Sequence, residues 1–285
     1  MALAKFRLFR TSWWTVNLLL ALSVAFLLYS CVWEFSVRRY LSGFSDAIVP
    51  NTAAPERKVE AILKWMSGAS GRTVTADPET LAHRDPETTL VYQQLLRVCG
   101  TATNAFLNLA RSSDLQVRRL LLLGPDRRAM HVVAEVLLDG RWVVVDPGFR
   151  TLMRNKQGHP LTRTEMRDPA TFAEATQGIP NYSPEYNYER IAHIRLARMP
   201  LDGFHLRRLL NFVYPGWEEA FDWSLFLERE SYAALAASIF LVGLFLFLRF
   251  SLAWYGDRRL RVPRSHLRAR VLRAGAALLS NPEIK

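Results

Sequence analysis

Two long stretches without charge bracket this chain, and they constrain its architecture more than anything between them. Residues 13–33 form a 21-residue run with no charged side chain. At about 1.5 Å of rise per residue, a helix of that length crosses a hydrocarbon core of roughly 30 Å. Residues 232–255 form a second run, interrupted only by Arg249, which lies near one end and can snorkel to the interface. Trp13, Trp14 and Trp33 border the first run and Trp254 and Tyr255 close the second, as an aromatic belt does. Two transmembrane helices, 13–33 and 232–255, are therefore expected, with a buried core helix as the competing reading of each.

The formal charge of +11, from 37 Lys and Arg against 26 Asp and Glu, invites a nucleic-acid reading until the charges are located. Residues 1–12 carry Lys5, Arg7 and Arg10 and no acid, while 249–285 carry nine basic groups against Asp257 and Glu283. Residues 34–248 are left with 25 basic and 24 acidic groups, close to neutral. The surplus abuts the spans, so the partner it implies is a membrane and not a nucleic acid. Positive-inside places both tails, 1–12 and 256–285, in the cytoplasm, and the roughly 200 residues between the spans outside it. The expected protein is a two-pass protein of the bacterial inner (cytoplasmic) membrane with an extracytoplasmic, periplasmic domain.

Arg258, Arg259, Arg261, Arg264, Arg268, Arg270 and Arg273 interleave with Leu260, Val262, Leu267, Val271 and Leu272, as in a helix lying on an anionic leaflet. A docking site for a cytoplasmic protein competes with that reading. A cleaved secretory signal is the other reading of the first run, but no A-x-A site follows it. Leu28-Tyr29-Ser30-Cys31 resembles a lipoprotein cleavage box in which Tyr29 fits poorly.

Between the spans, residues 34–54 read as a juxtamembrane linker punctuated by Gly43, Pro50 and Pro55. Residues 55–66 open with Pro and Glu and place Val59, Ile62, Leu63 and Met66 on one helical face. Ser67-Gly68-Ala69-Ser70-Gly71 stops that helix. Residues 72–90 are polar, and helical patterns follow at about 88–98 and 101–110, the latter with Cys99-Gly100 at its start. From Leu115 the period changes to two. Residues 117–123 form one expected strand, and 131–138 and 141–146 flank Asp139-Gly140, a strong hairpin signal.

Helices followed by an antiparallel sheet indicate an α+β domain, placed at 55–200. Within 150–231 the pattern is weaker. Residues 158–162 look like a loop and 185–196 like a further strand. The aromatic juxtamembrane stretch 201–231 carries Phe204, Phe212, Tyr214, Trp217, Phe221, Trp223 and Phe226, read as an interfacial helix or lid or, equally, as core packing.

The chain has two cysteines, and Cys31 belongs to the first span. Cys99 therefore has no intramolecular disulfide partner in the globular part. A thiol at a helix N-terminus faces the positive end of the dipole, which favours the thiolate a nucleophile requires. Such a thiolate needs an imidazole. If Asp139-Gly140 is a two-residue loop, Leu138 pairs with Arg141, His131 faces Gly148 and Asp146 faces Val133. His131 and Asp146 then lie diagonally on one face, with Cα atoms roughly 7–8 Å apart, and a one-residue shift would break the arrangement. His83, His159, His193 and His205 have no metal-ligand spacing and read as surface or loop residues. No metal or other cofactor is expected.

With Cys99-Gly100 opening a helix, Ser113-Asp114-Leu115-Gln116-Val117-Arg118 leading into a strand, and the block HVVAEVLLDGRWVVVDP over 131–147, the sequence resembles the transglutaminase-like branch of the papain-like thiol enzymes. The resemblance covers about 56–150. It implies a nucleophile helix packed on an antiparallel sheet, with Cys99 as nucleophile, His131 as base and Asp146 as the residue that orients it. Arg97-Val98 and Val133 depart from the pattern of many relatives, which have a Gly two before the Cys and an aromatic two after the His.

The backbone N–H of Cys99 is the natural first oxyanion donor. Gln93, six residues upstream as in papain-like proteases, is the candidate second donor, with Gln94 and Trp65 as rivals. The resulting expectation is a membrane-anchored cysteine acyl-transfer enzyme acting on a peptide or protein, either a peptide or amide hydrolase or a transglutaminase-type acyltransferase. The alternative is a catalytically idle scaffold subunit of an envelope or polysaccharide assembly system.

Overall fold

The computed structural model describes residues 2–68, 86, 90, 98–126, 128–194, 206–220 and 222–260. They fall into two compact units, one of residues 1–28 with 237–285 and one of residues 29–236.

The first unit is built from the apolar ends of two helices, α1 (Ala2–Ile48) and the C-terminal helix α8 (Glu230–Tyr255). Within it the guanidinium of Arg249 lies over the Trp13 ring at 5.9 Å, and Arg258 over Trp254 at 5.7 Å. Trp14, Leu18, Leu22, Phe240, Phe247 and Phe250 are all exposed. Apolar side chains exposed around a helix are at home in lipid and costly in water. Segments Arg7–Ile48 and Glu230–Leu260 are both long and apolar enough to cross a membrane.

In the second unit the linker expected over 34–54 is replaced by helix: α1 continues without a break to Ile48. Val37, Leu41, Ser45 and Val49 recur every four residues and are buried in the globular core, with Trp33 and Phe44 packed against it. Burying an aliphatic side chain such as Leu41 is worth about 1.5–3 kcal/mol. That gain overrides the Gly43 signal, and the helix ends only before Pro50. Next, α2 (Pro55–Ser67) buries the expected face, Val59, Ile62, Leu63 and Met66. The second helical pattern, at about 88–98, lies almost wholly outside the described residues.

Helix α3 (Cys99–Ser112) is the centre of the domain, with every residue from Thr101 to Ala110 buried. One side meets α2, and another meets a five-stranded antiparallel sheet of order β4-β3-β2-β1-β5. Its strands are β1 (Val117–Leu123), β2 (Ala129–Leu138), β3 (Arg141–Asp146), β4 (Thr151–Leu152) and β5 (Ile191–Ala192). The fold is thus the expected α+β arrangement of helices on an antiparallel sheet. The strand expected over 185–196 narrows to the two residues of β5, which pair with Leu121 and Leu122.

The β2–β3 hairpin has the expected register, with Leu138 opposite Arg141 and Ala134 opposite Val145. Its turn places Asp139 at φ 48° and Gly140 at φ 77°, the left-handed pair a two-residue type I′ loop demands. Alternation then sorts β2. Ala134 and Val136 join the helical core, while Val133 joins Leu120, Leu122, Val144, Met153, Leu161, Met166 and Tyr188 in a second core on the other face. That second core is covered by a 3₁₀ turn (Glu165–Arg167), α4 (Pro169–Thr176) and the chain leading to β5.

The aromatic stretch before the second span forms α5 (Leu206–Val213), α6 (Trp217–Ala220) and α7 (Trp223–Glu228). Trp217 is buried edge-on against Trp223, whereas Leu209, Phe212, Val213 and Tyr214 are exposed. Core packing and exposure thus divide the described part of the stretch between them, and Phe204 and Phe221 lie outside the described residues. Helix α8 (Glu230–Tyr255) follows, its first turns in this unit and the remainder in the first. Glu34, buried on α1, accepts from Arg38 Nε at 2.7 Å and from Ser231 Oγ at 2.8 Å, and pairs with Arg229 at 3.1 Å.

Candidate functional site

Cys99 is the first residue of α3, half-buried and in contact with the small cluster of Leu121, Val132 and Ala192. Three polar contacts hold this helix start in place. Thr101 Oγ1 accepts from the Val98 backbone N–H at 3.2 Å, closing the first turn. Arg119 on β1 donates to the Gly100 carbonyl at 3.3 Å. Thr103 Oγ1 donates to the Val132 carbonyl at 2.9 Å, tying the helix to the strand position next to His131.

His131 and Asp146 lie where the hairpin parity put them, on one face and diagonal across β2 and β3. Both side chains are fully buried, and His131 Nε2 donates to Asp146 Oδ2 at 2.6 Å. The other carboxylate oxygen, Oδ1, accepts from the Phe149 backbone N–H at 3.2 Å. With both oxygens engaged the carboxylate cannot rotate, so the imidazole is held in one orientation. Nδ1 is buried. It is the ring nitrogen left for the thiol, and the Cys99 sulfur interacts with this imidazole.

Electrostatics follow from that enclosure. Burial opposes charge on His131. The Asp146 carboxylate, by its charge and its hydrogen bond, and then the Cys99 sulfur outweigh burial and raise the imidazole to about 9. At neutral pH the proton therefore resides on the imidazole.

The surroundings include residues that the sequence pattern did not single out. Tyr186 stacks on the His131 ring, with centroids 4.3 Å apart and planes 3° from parallel. Tyr182 and Phe149 meet it edge-on at 6.2 Å and 5.8 Å. Burial, with the Tyr188 hydroxyl and the Asp146 carboxylate beside it, pushes the Tyr182 phenol far above its ordinary value and keeps it protonated. The available signal was the clustering of three tyrosines in Tyr182-Ser183-Pro184-Glu185-Tyr186-Asn187-Tyr188, only part of which falls within the strand expected over 185–196.

Gln93 and Gln94 lie outside the described residues. Trp65, the third oxyanion rival, is set edge-on against Phe44 at 5.1 Å. His193, read as a surface or loop residue, is instead buried on the domain's second face. Its Nδ1 meets the Arg119 carbonyl at 2.7 Å, and desolvation holds it below the usual histidine range. His159 is exposed as expected, and His83 and His205 lie outside the described residues. Among the described residues no group of three or more His, Cys, Asp or Glu is placed to hold a metal ion.

Residues 42–147 match the family model of the transglutaminase-like superfamily. The match begins within the last turns of α1 and ends one residue after Asp146. No curated protein and no solved structure matches the chain.

Proposed function

We propose that this transglutaminase-like domain is a cysteine acyl-transfer enzyme in which Cys99 is the nucleophile, His131 the acid and base, and Asp146 the residue that orients and charges the imidazole. The observation that carries the reading is the division of labour on one ring: Nε2 is bound to a fixed carboxylate, and Nδ1 is left to a thiol at a helix N-terminus. A positively charged imidazole beside the sulfur favours the thiolate form, as does the helix dipole.

The thiolate attacks the carbonyl carbon of an amide or ester. The backbone N–H of Cys99 is the first donor to the oxyanion that forms, with Gln93 proposed as the second. His131 Nδ1 then delivers its proton to the departing amine or alcohol as the bond from carbon to the leaving group breaks, giving a thioester on Cys99. Attack by water returns a proton to Nδ1 and the sulfur leaves, completing hydrolysis. Attack by an amine completes transfer instead. Hydrolysis of a peptide or amide is the favoured outcome, since nothing in the sequence identifies an acceptor-amine site.

The flanking charge supports a cytoplasmic position for both tails and an extracytoplasmic domain at the bacterial inner membrane. The substrate is then a peptide or protein in the envelope.

The test uses the full chain in a Cys31→Ser background, since Cys31 is exposed. Cys99 should react with an electrophilic thiol probe faster than a free thiol at neutral pH, and Cys99→Ala should abolish both labelling and capture of an acyl group. Reaction no faster than a free thiol would remove the enzyme reading. Rescue of a deletion phenotype by Cys99→Ala would favour a scaffold role. A reporter fused at the C-terminus tests sidedness, and an extracellular signal would contradict the two-pass orientation.

A further inference from the structure

The imidazole of His131 is enclosed by rings supplied from the chain after Asp146, beyond the family-matched stretch. Besides stacking on His131, Tyr186 meets Tyr182 edge-on at 5.4 Å, and Tyr182 packs on Phe149 at 4.7 Å. Phe172 supports Tyr182 and Tyr188 from α4 at 5.9 Å and 6.3 Å. The strap that carries these tyrosines is anchored at its far end. Tyr188 is fully buried, its carbonyl accepts from Arg167 Nε at 3.2 Å, and the Arg190 carbonyl accepts from the Leu123 N–H at 2.9 Å just before β5 joins the sheet. At its near end Asn181 bends the chain at φ 58°.

Resting on the enzyme reading above, we propose that Tyr186 and Tyr182 are positioning residues of the Cys99 site. The face of Tyr186 fixes the plane of the imidazole so that Nδ1 stays directed to the sulfur, and the two tyrosines together exclude water from the His131–Asp146 hydrogen bond.

Three physical effects support this. A parallel ring at 4.3 Å blocks rotation of the imidazole about its own axis. The electron-rich face of a phenol stabilises a cationic ring above it. Excluding water lowers the local dielectric and strengthens the 2.6 Å charge-assisted hydrogen bond. The ionisable groups facing His131 are Asp146 from β3, Cys99 from α3, and Tyr182 and Tyr186 from the strap. Tyr182 and, behind it, Tyr188 are buried phenols held protonated, so the enclosure adds no competing negative charge.

The experiment is the pH profile of Cys99 alkylation in the full-length Cys31→Ser protein. Tyr186→Leu should slow alkylation at neutral pH by roughly 3- to 10-fold, the value of an aromatic or cation–π contact. It should also move the upper limb of the profile down by about half to one pH unit. Tyr186→Phe, which keeps the ring face, should rescue most of that loss, a result that mere packing volume restored by any apolar residue would not require. Tyr182→Leu should move the limb in the same direction, and it carries the test should Tyr186→Leu not fold. Folded Leu variants with the parent's rate and upper limb would overturn the proposal while leaving the enzyme reading intact. A parent protein whose Cys99 reacts only as a free thiol would instead remove the enzyme reading beneath it.

Discussion

Replacing Asp146 by Asn removes the charge that holds a proton on a buried imidazole, and the effect can be read as stability against pH. His131 rises from 6.5 to about 9 in the folded chain. At about 1.36 kcal/mol per unit, that shift contributes at most about 3.4 kcal/mol. The folded value lies above the unfolded one, so the contribution is fully present below pH 6.5 and is lost as pH rises through 9.

In the wild type a proton passed from thiol to imidazole leaves the proton count of the pair unchanged and masks this slope. The measurement is therefore made on Cys99→Ala, where only the imidazole titrates. There Asp146 remains the larger raising cause, so stability should fall by up to about 3 kcal/mol between pH 6.5 and 9.5. In Cys99→Ala with Asp146→Asn, burial alone acts and disfavours the charged ring. The slope should change sign, with stability gained as pH rises through the histidine range. Urea unfolding of the detergent-solubilised chain, followed by tryptophan fluorescence across that pH window, gives both slopes. A double variant with the same falling slope as Cys99→Ala would refute the assignment of Asp146 as the group that charges His131.

Leu41→Ala tests whether the end of α1 is docked and not a linker: the side chain is buried, so unfolding free energy should drop by about 2–5 kcal/mol, against almost nothing for a tether. Arg118, mostly buried and stacked over Trp142 at 4.2 Å, donates to Glu135 at 2.7 Å. Arg118→Met should cost about 3–5 kcal/mol by leaving the buried Glu135 carboxylate with only the longer Arg163 contact at 4.0 Å, and Arg118→Met with Glu135→Leu should recover most of that in the same unfolding assay. Gly140→Ala, at φ 77°, should destabilise the hairpin by about 1 kcal/mol, read as a lower denaturation midpoint with an unchanged slope.

The site was legible where its geometry is local. Asp139-Gly140 sets a two-residue turn, the turn sets the register, and a period of two carries Asp146 to the face of His131, all within sixteen residues. The face of α2 and the place of Cys99 at the start of α3 follow from periodicity in the same way. The end of α1 was misread because Gly43 and Pro50 are local signals, whereas the burial of Val37 and Leu41 is a tertiary gain larger than a glycine's propensity cost of about 1 kcal/mol. His193 was misplaced for a related reason: its partner is the Arg119 carbonyl, 74 residues away in the chain.

From the sequence alone come the two apolar stretches long enough to cross a membrane, the surplus of arginines beside them, and the three chemically capable residues, because each depends on a run, a charge count or a repeat that neighbours in the chain define. Only the tertiary structure decided what encloses the imidazole. Tyr182 and Tyr186 reach His131 across about fifty residues of chain, in a segment that forms neither helix nor strand, and such contacts exist only once the sheet has given the strap an edge to pair with.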